Sequence, residues 1–224
     1  MRSEARAGLR GLYAITPESA DTASLVARVE QCLEGGAALV QYRAKAAAPG
    51  IALDQARRIS ALCRSFGAPF IVNDSIDLAI AAHAQGVHLG RDDASVLAAR
   101  KAFPEGIIGV SCYANPALAR AAAQQGADYV GIGSMFASPS KPRAVRAATT
   151  DLSEARRASG LPVVAIGGIT LDNAHEVLEA GADMLAVISA LFDAADVRAA
   201  ARAFSDRFDK SARGTSGQPQ SRAI

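Results

Sequence analysis

The strongest constraint on the fold is a pattern of short apolar segments that recurs eight times along the chain. Apolar runs without polar alternation are typical of parallel strands that are buried on both faces. The stretches between them carry Ala, Leu and Arg at helical spacing, and the last predicted helix covers about Ala194–Phe208. The predicted strands are Gly11–Thr16, Ala38–Arg43, Pro69–Asn73, Val87–Gly90, Ile107–Ser111, Tyr129–Ser134, Pro162–Gly167 and Met184–Ser189.

The junctions between these elements carry turn and capping signals. Glycine occurs at four helix-to-strand junctions, at residues 34–37, 84–87, 125–128 and 180–183, where it can take the left-handed conformation that ends a helix. Asn115–Pro116 reads as an N-cap followed by proline at the first helical position.

Eight strand–helix units allow either a closed barrel or a doubly wound open sheet. An open sheet usually has a glycine-rich turn after its first strand, whereas this chain has Thr-Pro-Glu-Ser at 16–19. We therefore predict an α/β fold, a single (β/α)8 TIM barrel, over residues 11–208. Residues 1–10 are expected to form an N-terminal extension, and the polar tail at 209–224 is expected to be disordered.

Charge and cysteine content narrow the partners and the compartment. The formal net charge of the 224 residues is +2. Residues 1–10 and 205–224 each carry +2, which leaves −2 for residues 11–204. This distribution predicts no nucleic-acid binding. The odd number of cysteines and the lack of a membrane-length apolar stretch or signal-peptide core predict a cytoplasmic protein with no membrane contact.

In a barrel of this class, polar residues at the C-terminal ends of the strands are site candidates. The second predicted strand ends in Gln41, Arg43 and Lys45, which share one face if strand geometry continues to Lys45. Two cations at a barrel mouth are suited to hold a pyrophosphate. The alternative is a solvated strand end.

Carboxylates follow the next two strands. Asn73–Asp74 ends the third predicted strand, and Asp93 follows the fourth. Carboxylate oxygens combined with a diphosphate are a usual way to hold Mg²⁺, although Asp and Asn here are also candidates for helix N-caps. His88 is predicted to be a core histidine with its hydrogen bonds satisfied, whereas His83 and His175 are predicted on helix surfaces.

The remaining strand ends predict a second anion site. Ser111 can hydrogen-bond a substrate, but no base accompanies it as in a nucleophilic triad. A long loop after the sixth strand carries Ser138, Ser140 and Lys141. The loops after the seventh and eighth strands, with Gly168, Ile188 and Ser189, are suited to bind phosphate through backbone N–H groups, the alternative being ordinary turns. Two facing anion sites suggest a transferase that joins two phosphorylated small molecules.

Taken together, these motifs resemble the thiamine-phosphate synthase family over about residues 10–205. The motifs are Gln41-Tyr42-Arg43-x-Lys45, Asn73-Asp74, Val87-His88-Leu89-Gly90-x-x-Asp93, Gly109-Val110-Ser111, Ser138-Pro139-Ser140-Lys141, Gly167-Gly168-Ile169-Thr170 and Ile188-Ser189. The family condenses a hydroxymethylpyrimidine diphosphate with a thiazole monophosphate and releases pyrophosphate. The resemblance implies a dissociative mechanism with Mg²⁺ as cofactor and no protein nucleophile.

The resemblance also implies a role for each candidate. Asp74 and Asp93 would bind Mg²⁺, and Ser111 would contact the pyrimidine. Catalytic assistance would come from Arg43, Lys45, Ser111 and Lys141. The residues implied for the pyrimidine diphosphate are Gln41, Arg43, Lys45, Asn73 and Lys141. Those implied for the thiazole phosphate are Ser138, Ser140, Gly168, Ile188 and Ser189.

The chain departs from the family pattern at three places. Ser138 and Ser140 stand where threonine is usual, Tyr113 stands where histidine is common, and residues 135–137 form a variant run. The alternatives are a thiazole tautomerase-like paralogue, which relies on that histidine, a non-catalytic barrel that binds thiazole phosphate, and a more distant phosphosugar isomerase or epimerase. The sequence leaves the oligomeric state open.

Overall fold

Eight parallel strands close into a barrel in chain order, so the predicted (β/α)8 class is confirmed. The computed structural model describes residues 8–137 and 145–214. The strands are β1 Gly11–Ile15, β2 Leu39–Tyr42, β3 Phe70–Asn73, β4 Gly86–Leu89, β5 Ile107–Tyr113, β6 Tyr129–Ile132, β7 Val163–Ile166 and β8 Met184–Val187. β1 pairs with β8 as well as with β2, which removes both sheet edges.

Helices alternate with the strands along the part of the chain that the structure describes. They are α1 Thr22–Glu34, α2 Pro49–Ser65, α3 Ile76–Ala81, α4 Val96–Ala102, α5 Pro116–Gln124, α6 Thr149–Ser159, α7 Ala174–Glu179, α8 Ser189–Phe192 and α9 Val197–Gly214. Asn115 caps α5 as predicted, because its side chain accepts a hydrogen bond from the Ala117 N–H at 3.0 Å. No described helix is long and apolar enough to cross a bilayer.

Several predicted boundaries need correction. β2 ends at Tyr42, so strand geometry does not continue to Lys45. β5 extends to Tyr113 with a register shift between Ser111 and Tyr113. The last helix continues to Gly214 rather than ending at Phe208.

The glycine junctions follow the prediction at three of four places. Gly36, Gly126 and Gly181 all have φ near +95°, and each lies two residues after the last residue of its helix. At the fourth junction the left-handed residue is His83, with φ of 53°. Gly86 instead lies within β4, where an added Cβ would come within 2.0 Å of the Ile107 carbonyl oxygen. That glycine is therefore required by close strand packing rather than by a turn.

The core has two layers, one between strands and helices and one inside the barrel. The interior layer contains Tyr13, Ile15, Ile71, Tyr129 and Met184, all buried. Burial raises the pKa of each cysteine thiol to about 12. These thiols are Cys32, Cys63 and Cys112, which are buried and unpaired as free cysteines.

An ion pair with several further hydrogen bonds stabilises the end of the barrel at which the strands begin. The Arg100 guanidinium bonds the Asp128 carboxylate and the carbonyl oxygens of Phe103, Gly106 and Gly126. Asp128 also accepts a hydrogen bond from the Ile108 N–H at 2.9 Å. In barrels of this architecture the N-terminal face serves stability, and the chemistry lies at the other face.

Candidate active site

A cluster of three charged side chains lies at the C-terminal ends of β2, β3 and β4. Lys45 Nζ lies 3.0 Å from Asp74 Oδ2. The carboxyl groups of Asp74 and Asp93 are adjacent, so their negative charges repel each other. Beside them is an open cavity of about 320 Å³ whose lining includes Lys45, Asn73 and Asp74. The structure thus brings together four of the residues predicted from separate strand ends.

Backbone contacts hold this cluster in place. The Asp74 N–H donates to the His88 carbonyl oxygen at 2.8 Å, and Asp74 has a left-handed φ of 65°. Asp93 accepts a hydrogen bond from the Gly90 N–H at 2.6 Å. The Lys45 N–H donates to Glu18 Oε1 at 2.5 Å, which anchors the segment that follows β2 to the segment that follows β1. A non-glycine residue at positive φ is strained, and such strain occurs often at functional sites.

The alternative of helix capping is excluded for both carboxylates. Ser75 caps α3 by accepting from the Leu78 N–H at 3.1 Å. Ser95 caps α4 by accepting from the Ala98 N–H at 3.2 Å. Asp74 and Asp93 therefore lie before the caps, and a capping role does not explain them.

The environment of Asp93 raises the pKa of its carboxyl group. Partial burial is the largest cause, and the neighbouring Asp74 carboxylate adds to it. The hydrogen bond from Gly90 and the positive charge of Lys45 act in the opposite direction. Two carboxylates in contact are destabilised unless a proton or a cation lies between them.

This donor set fits a magnesium ion that is shared with a ligand. Mg²⁺ is usually held by one or two carboxylates, substrate phosphates and water rather than by an all-protein cage. Asp74 and Asp93 supply two hard oxygen donors. Within residues 8–137 and 145–214, no group of three or more His, Cys, Asp or Glu side chains could hold a metal. A phosphorylated ligand would supply the missing oxygens.

Arg43 and Gln41, the other predicted site residues from β2 and the segment after it, lie at different depths in the barrel. The Arg43 side chain is half-buried, and its backbone N–H donates to Thr16 Oγ1 at 3.0 Å. Gln41 is only 2% exposed and donates through Nε2 to Tyr13 Oη at 2.8 Å. Gln41 therefore lies below the charged cluster, inside the barrel, rather than beside Lys45.

Ser111 lies at the mouth of the barrel, on β5. Its Oγ is 2.9 Å from Nε2 of His88, whose Nδ1 is 2.9 Å from Tyr129 Oη. His88 is buried with both ring nitrogens bonded, as predicted for a satisfied core histidine. Exposed His83 and His175 also fit their prediction as surface residues, although His83 lies after the end of α3 rather than within it.

The opposite side of the mouth is built from the loops that follow β6, β7 and β8. The Phe136 N–H donates to the Gly167 carbonyl at 2.9 Å. Gly168 has φ of +66°, and an added Cβ would lie 2.3 Å from the Ala137 carbonyl oxygen. Asn173 holds this turn by donating to the Gly168 carbonyl at 3.0 Å.

The eighth strand leads directly into a helix start. Ile188 precedes α8, and Ser189 is its first residue. Because β7 and β8 are paired neighbours, Gly168 and Ser189 emerge at adjacent positions on the rim. Ser138, Ser140 and Lys141 lie outside the described residues.

Sequence reasoning gave no site role to three tyrosines at or beneath the mouth, although Tyr113 stands out in the sequence as a departure from the family pattern. Tyr13 and Tyr129 connect Gln41 to His88 inside the barrel. Tyr113 contacts the loop that carries Asp93, because its Oη accepts from the Arg91 N–H at 3.3 Å and the Arg91 guanidinium lies 4.7 Å from its ring centroid. Glycines inside the barrel strands were the available signal, since a strand glycine often marks a close approach.

A barrel with cations and carboxylates on one side of its mouth and glycine turns on the other defines a class. It is a (β/α)8 enzyme that acts on phosphorylated small molecules. Residues 12–191 match the family described as thiamine monophosphate synthase, and the chain belongs to that family.

Individual relatives agree with this assignment over nearly the whole chain. A thiamine-phosphate synthase of Aromatoleum aromaticum is 54% identical over 202 residues, covering 90% of this chain and 97% of that protein. One from Thiobacillus denitrificans is 55% identical over 192 residues, covering 85% and 91%. The structure of thiamine phosphate pyrophosphorylase from Pyrococcus furiosus has a TM-score of 0.82 at 36% identity, covering 91% of this chain and 98% of that one.

Proposed function

We propose that this chain is a thiamine-phosphate synthase, which condenses a hydroxymethylpyrimidine diphosphate with a thiazole monophosphate and releases pyrophosphate. The observation that carries the proposal is the cluster of Lys45, Asp74 and Asp93 beside an open cavity of about 320 Å³. Family membership over residues 12–191 supports it. We place the reaction in the cytoplasm, in agreement with the three buried free cysteines.

The diphosphate is assigned to the charged side of the mouth. Arg43 and Lys45 donate to its oxygens, Asn73 hydrogen-bonds it from the cavity wall, and Lys141 is assigned the same role. Gln41 lies too deep for the diphosphate, so we assign it to the pyrimidine ring. Ser111 contacts the same ring from the opposite strand. Asp74 and Asp93 would hold Mg²⁺, which would supply positive charge to neutralise the diphosphate.

The reaction that this arrangement supports is dissociative. The C–O bond between the exocyclic methylene and the diphosphate breaks, and pyrophosphate departs with the bonding electron pair. Arg43 and Lys45 stabilise the negative charge that grows on the leaving group. The thiazole nitrogen then donates its lone pair to the methylene carbon and forms the new C–N bond. No protein nucleophile is required.

The thiazole phosphate is assigned to the rim formed by the β7 and β8 loops. Gly168 lets the backbone approach an anion closely because it has no side chain. The first N–H groups of a helix have no acceptor within the helix, so the start of α8 at Ser189 and the preceding Ile188 suit a phosphate. Ser138 and Ser140 are assigned to the same phosphate.

The tautomerase alternative is disfavoured by the β5 end. Tyr113 stands in place of the histidine on which the tautomerase hypothesis depends, and its hydroxyl accepts a hydrogen bond from the Arg91 N–H. The carboxylate pair disfavours a barrel that only binds thiazole phosphate, because binding alone needs no cation site on the opposite side of the mouth.

A product assay tests the proposed function. Purified protein is mixed with the pyrimidine diphosphate, the thiazole monophosphate and Mg²⁺, with and without chelator. We expect equal amounts of thiamine phosphate and pyrophosphate, and only when Mg²⁺ is present. Absence of both products from folded, metal-supplied protein would refute the proposal.

Two variants test the assignment of the sites. Asp93→Ala is expected to lose most activity while its circular dichroism stays unchanged, and full activity would remove Asp93 from the metal site. Arg43→Ala is expected to raise KM for the diphosphate substrate more than for the thiazole phosphate. An equal rise for both substrates would contradict the two-site arrangement.

A further inference from the structure

A continuous chain of hydrogen bonds crosses the inside of the barrel beneath the mouth. Gln41 Nε2 donates to Tyr13 Oη at 2.8 Å, and Tyr13 Oη lies 2.7 Å from Tyr129 Oη. Tyr129 Oη is 2.9 Å from His88 Nδ1, and His88 Nε2 is 2.9 Å from Ser111 Oγ. The chain therefore connects Gln41 on β2 to Ser111 on β5, the two residues assigned to the pyrimidine ring.

The interior of the barrel is shaped to admit this chain. An added Cβ at Gly109 would lie 2.0 Å from the Tyr129 ring, so only glycine leaves room for the phenol. The Tyr13 and Tyr129 rings meet edge to face with centroids 5.9 Å apart, and Tyr129 stacks on His88 at 5.5 Å. Both tyrosines are fully buried. A polar chain at this depth is stable only when each member is satisfied.

The tyrosine hydroxyls stay protonated in this setting. Burial is the largest cause of a raised pKa for both Tyr13 and Tyr129, and the proximity of Tyr13 raises that of Tyr129 further. Each neutral hydroxyl donates one hydrogen bond and can accept others, and a neutral imidazole donates from one nitrogen and accepts at the other. These groups can therefore transmit a direction of hydrogen bonding along the chain.

One direction satisfies every member. Gln41 donates to Tyr13, and in this direction Tyr13 would donate to Tyr129 and Tyr129 to Nδ1 of a His88 that carries its proton on Nε2. His88 then donates from Nε2 to Ser111 Oγ. This direction leaves the Gln41 Oε1 carbonyl as an acceptor at one end and the Ser111 hydroxyl as a donor at the other.

We infer that Tyr13, Tyr129 and His88 are positioning residues that select a 4-aminopyrimidine by fixing an acceptor at Gln41 and a donor at Ser111. The inference rests on the proposed function. An aminopyrimidine presents an amino donor and ring-nitrogen acceptors, which match these two ends. The 4-oxo form presents a carbonyl acceptor and a ring N–H donor, so it meets like groups and leaves polar atoms unpaired.

The test compares binding of the 4-amino and 4-oxo pyrimidine diphosphates by isothermal titration calorimetry, with Mg²⁺ and without thiazole phosphate. The wild type is expected to prefer the amino form by at least about 10²-fold, since sites built for hydrogen bonds reject mismatched partners strongly. Tyr129→Phe breaks the chain and lets the Ser111 proton reorient, so the preference is expected to fall at least about tenfold. Tyr13→Phe breaks it one link further away and is expected to act in the same direction.

Tyr42→Phe is the matched control. Tyr42 is 1% exposed and donates to Gln55 Oε1 at 2.7 Å, outside the chain. The Tyr42→Phe variant loses a comparable buried hydrogen bond, so its Tm should fall. Its preference for the 4-amino over the 4-oxo pyrimidine diphosphate should stay at the wild-type value. An unchanged preference in folded Tyr129→Phe and Tyr13→Phe, or an equal fall in Tyr42→Phe, overturns the inference. A wild type that makes no thiamine phosphate in the product assay would instead refute the function itself.

Discussion

Replacing Lys45 with methionine separates the structural contribution of this residue from its proposed role in catalysis. The ion pair between Lys45 and Asp74 is 3.0 Å long, and the two side chains are 57% and 28% exposed. Exposed pairs of this kind contribute about 0.2–1 kcal/mol, because water screens the charges. Methionine retains most of the length and apolar stem of lysine. The free energy of unfolding of Lys45→Met should therefore fall by less than about 1 kcal/mol.

The effect on turnover is expected to be much larger. If Lys45 donates to the departing diphosphate, the variant loses one or two charge-assisted hydrogen bonds, each of about 1.5–3 kcal/mol. Since about 1.4 kcal/mol corresponds to a tenfold change in rate, kcat/KM should fall by about 10-fold for the loss of one weak bond and by up to about 10⁴-fold for the loss of two strong ones. KM for the thiazole phosphate should change little, because that ligand is assigned to the opposite rim.

Urea denaturation followed by circular dichroism gives the stability, and pyrophosphate release gives the rates. Arg58→Met is the matched control, because Arg58 forms a similarly exposed 3.0 Å pair with Asp54 on the surface of α2. The two variants should lose similar stability, and only Lys45→Met should lose activity. A wild-type kcat/KM in Lys45→Met, or a stability loss of several kcal/mol, would refute this account of the charged cluster.

Three further predictions concern the metal pair, the glycine rim and the thiols. Asp93→Asn removes a like charge but keeps an acceptor for the Gly90 N–H, so the free energy of unfolding of the metal-free protein should rise by up to about 1 kcal/mol. The Tm of this variant should no longer rise when Mg²⁺ is added. A Tm rise equal to that of the wild type would argue against the metal site. Gly168→Ala should lose more stability than Gly67→Ala, because both glycines have φ near +67° but nothing lies within 4 Å of a Cβ at Gly67. KM for the thiazole phosphate should rise only in Gly168→Ala. Equal losses of stability in the two variants would contradict the close packing at Gly168. The buried cysteines, with pKa raised from 9.0 to about 12, should resist a thiol reagent at pH 8 until the protein unfolds, and rapid labelling of the native protein would contradict their burial. Their contribution to stability is full below about pH 9 and is lost as the pH rises toward 12. Urea titrations between pH 8 and 11 should therefore show a falling free energy of unfolding.

The fold was predictable because eight mostly apolar strands alternate with helices along the chain. That pattern fits a closed barrel or an open sheet, and the absence of a glycine-rich turn after the first strand favoured the barrel. The errors lie where a local contact decides the boundary. β2 stops at Tyr42 since the Arg43 N–H bonds the Thr16 side chain rather than continuing the ladder. His83 takes the left-handed conformation that was expected of Gly86, and Gly86 lies within β4 beside the Ile107 carbonyl.

The candidate site was predictable in the parts that lie at strand ends, and the buried tyrosines beneath them were not. Arg, Lys and Asp at strand ends stand out, because nothing in a barrel core explains them. Tyr13 and Tyr129 do not, since an aromatic residue in a buried strand is most often simple packing. Their hydroxyls meet only after the barrel closes and brings residues 13 and 129 within 2.7 Å. Periodicity carries no information about such a contact between distant strands.

The charged cluster also explains why metal and diphosphate are expected to bind as one unit. Without ligand, Lys45 is the cation beside two carboxylates that repel each other. Under the proposed assignment, a cation bound to Asp74 and Asp93 would repel the Lys45 ammonium group, and a diphosphate would give that group an anion to bind. The diphosphate would also supply the oxygen donors that two carboxylates leave missing. We therefore expect metal and diphosphate to strengthen each other's binding.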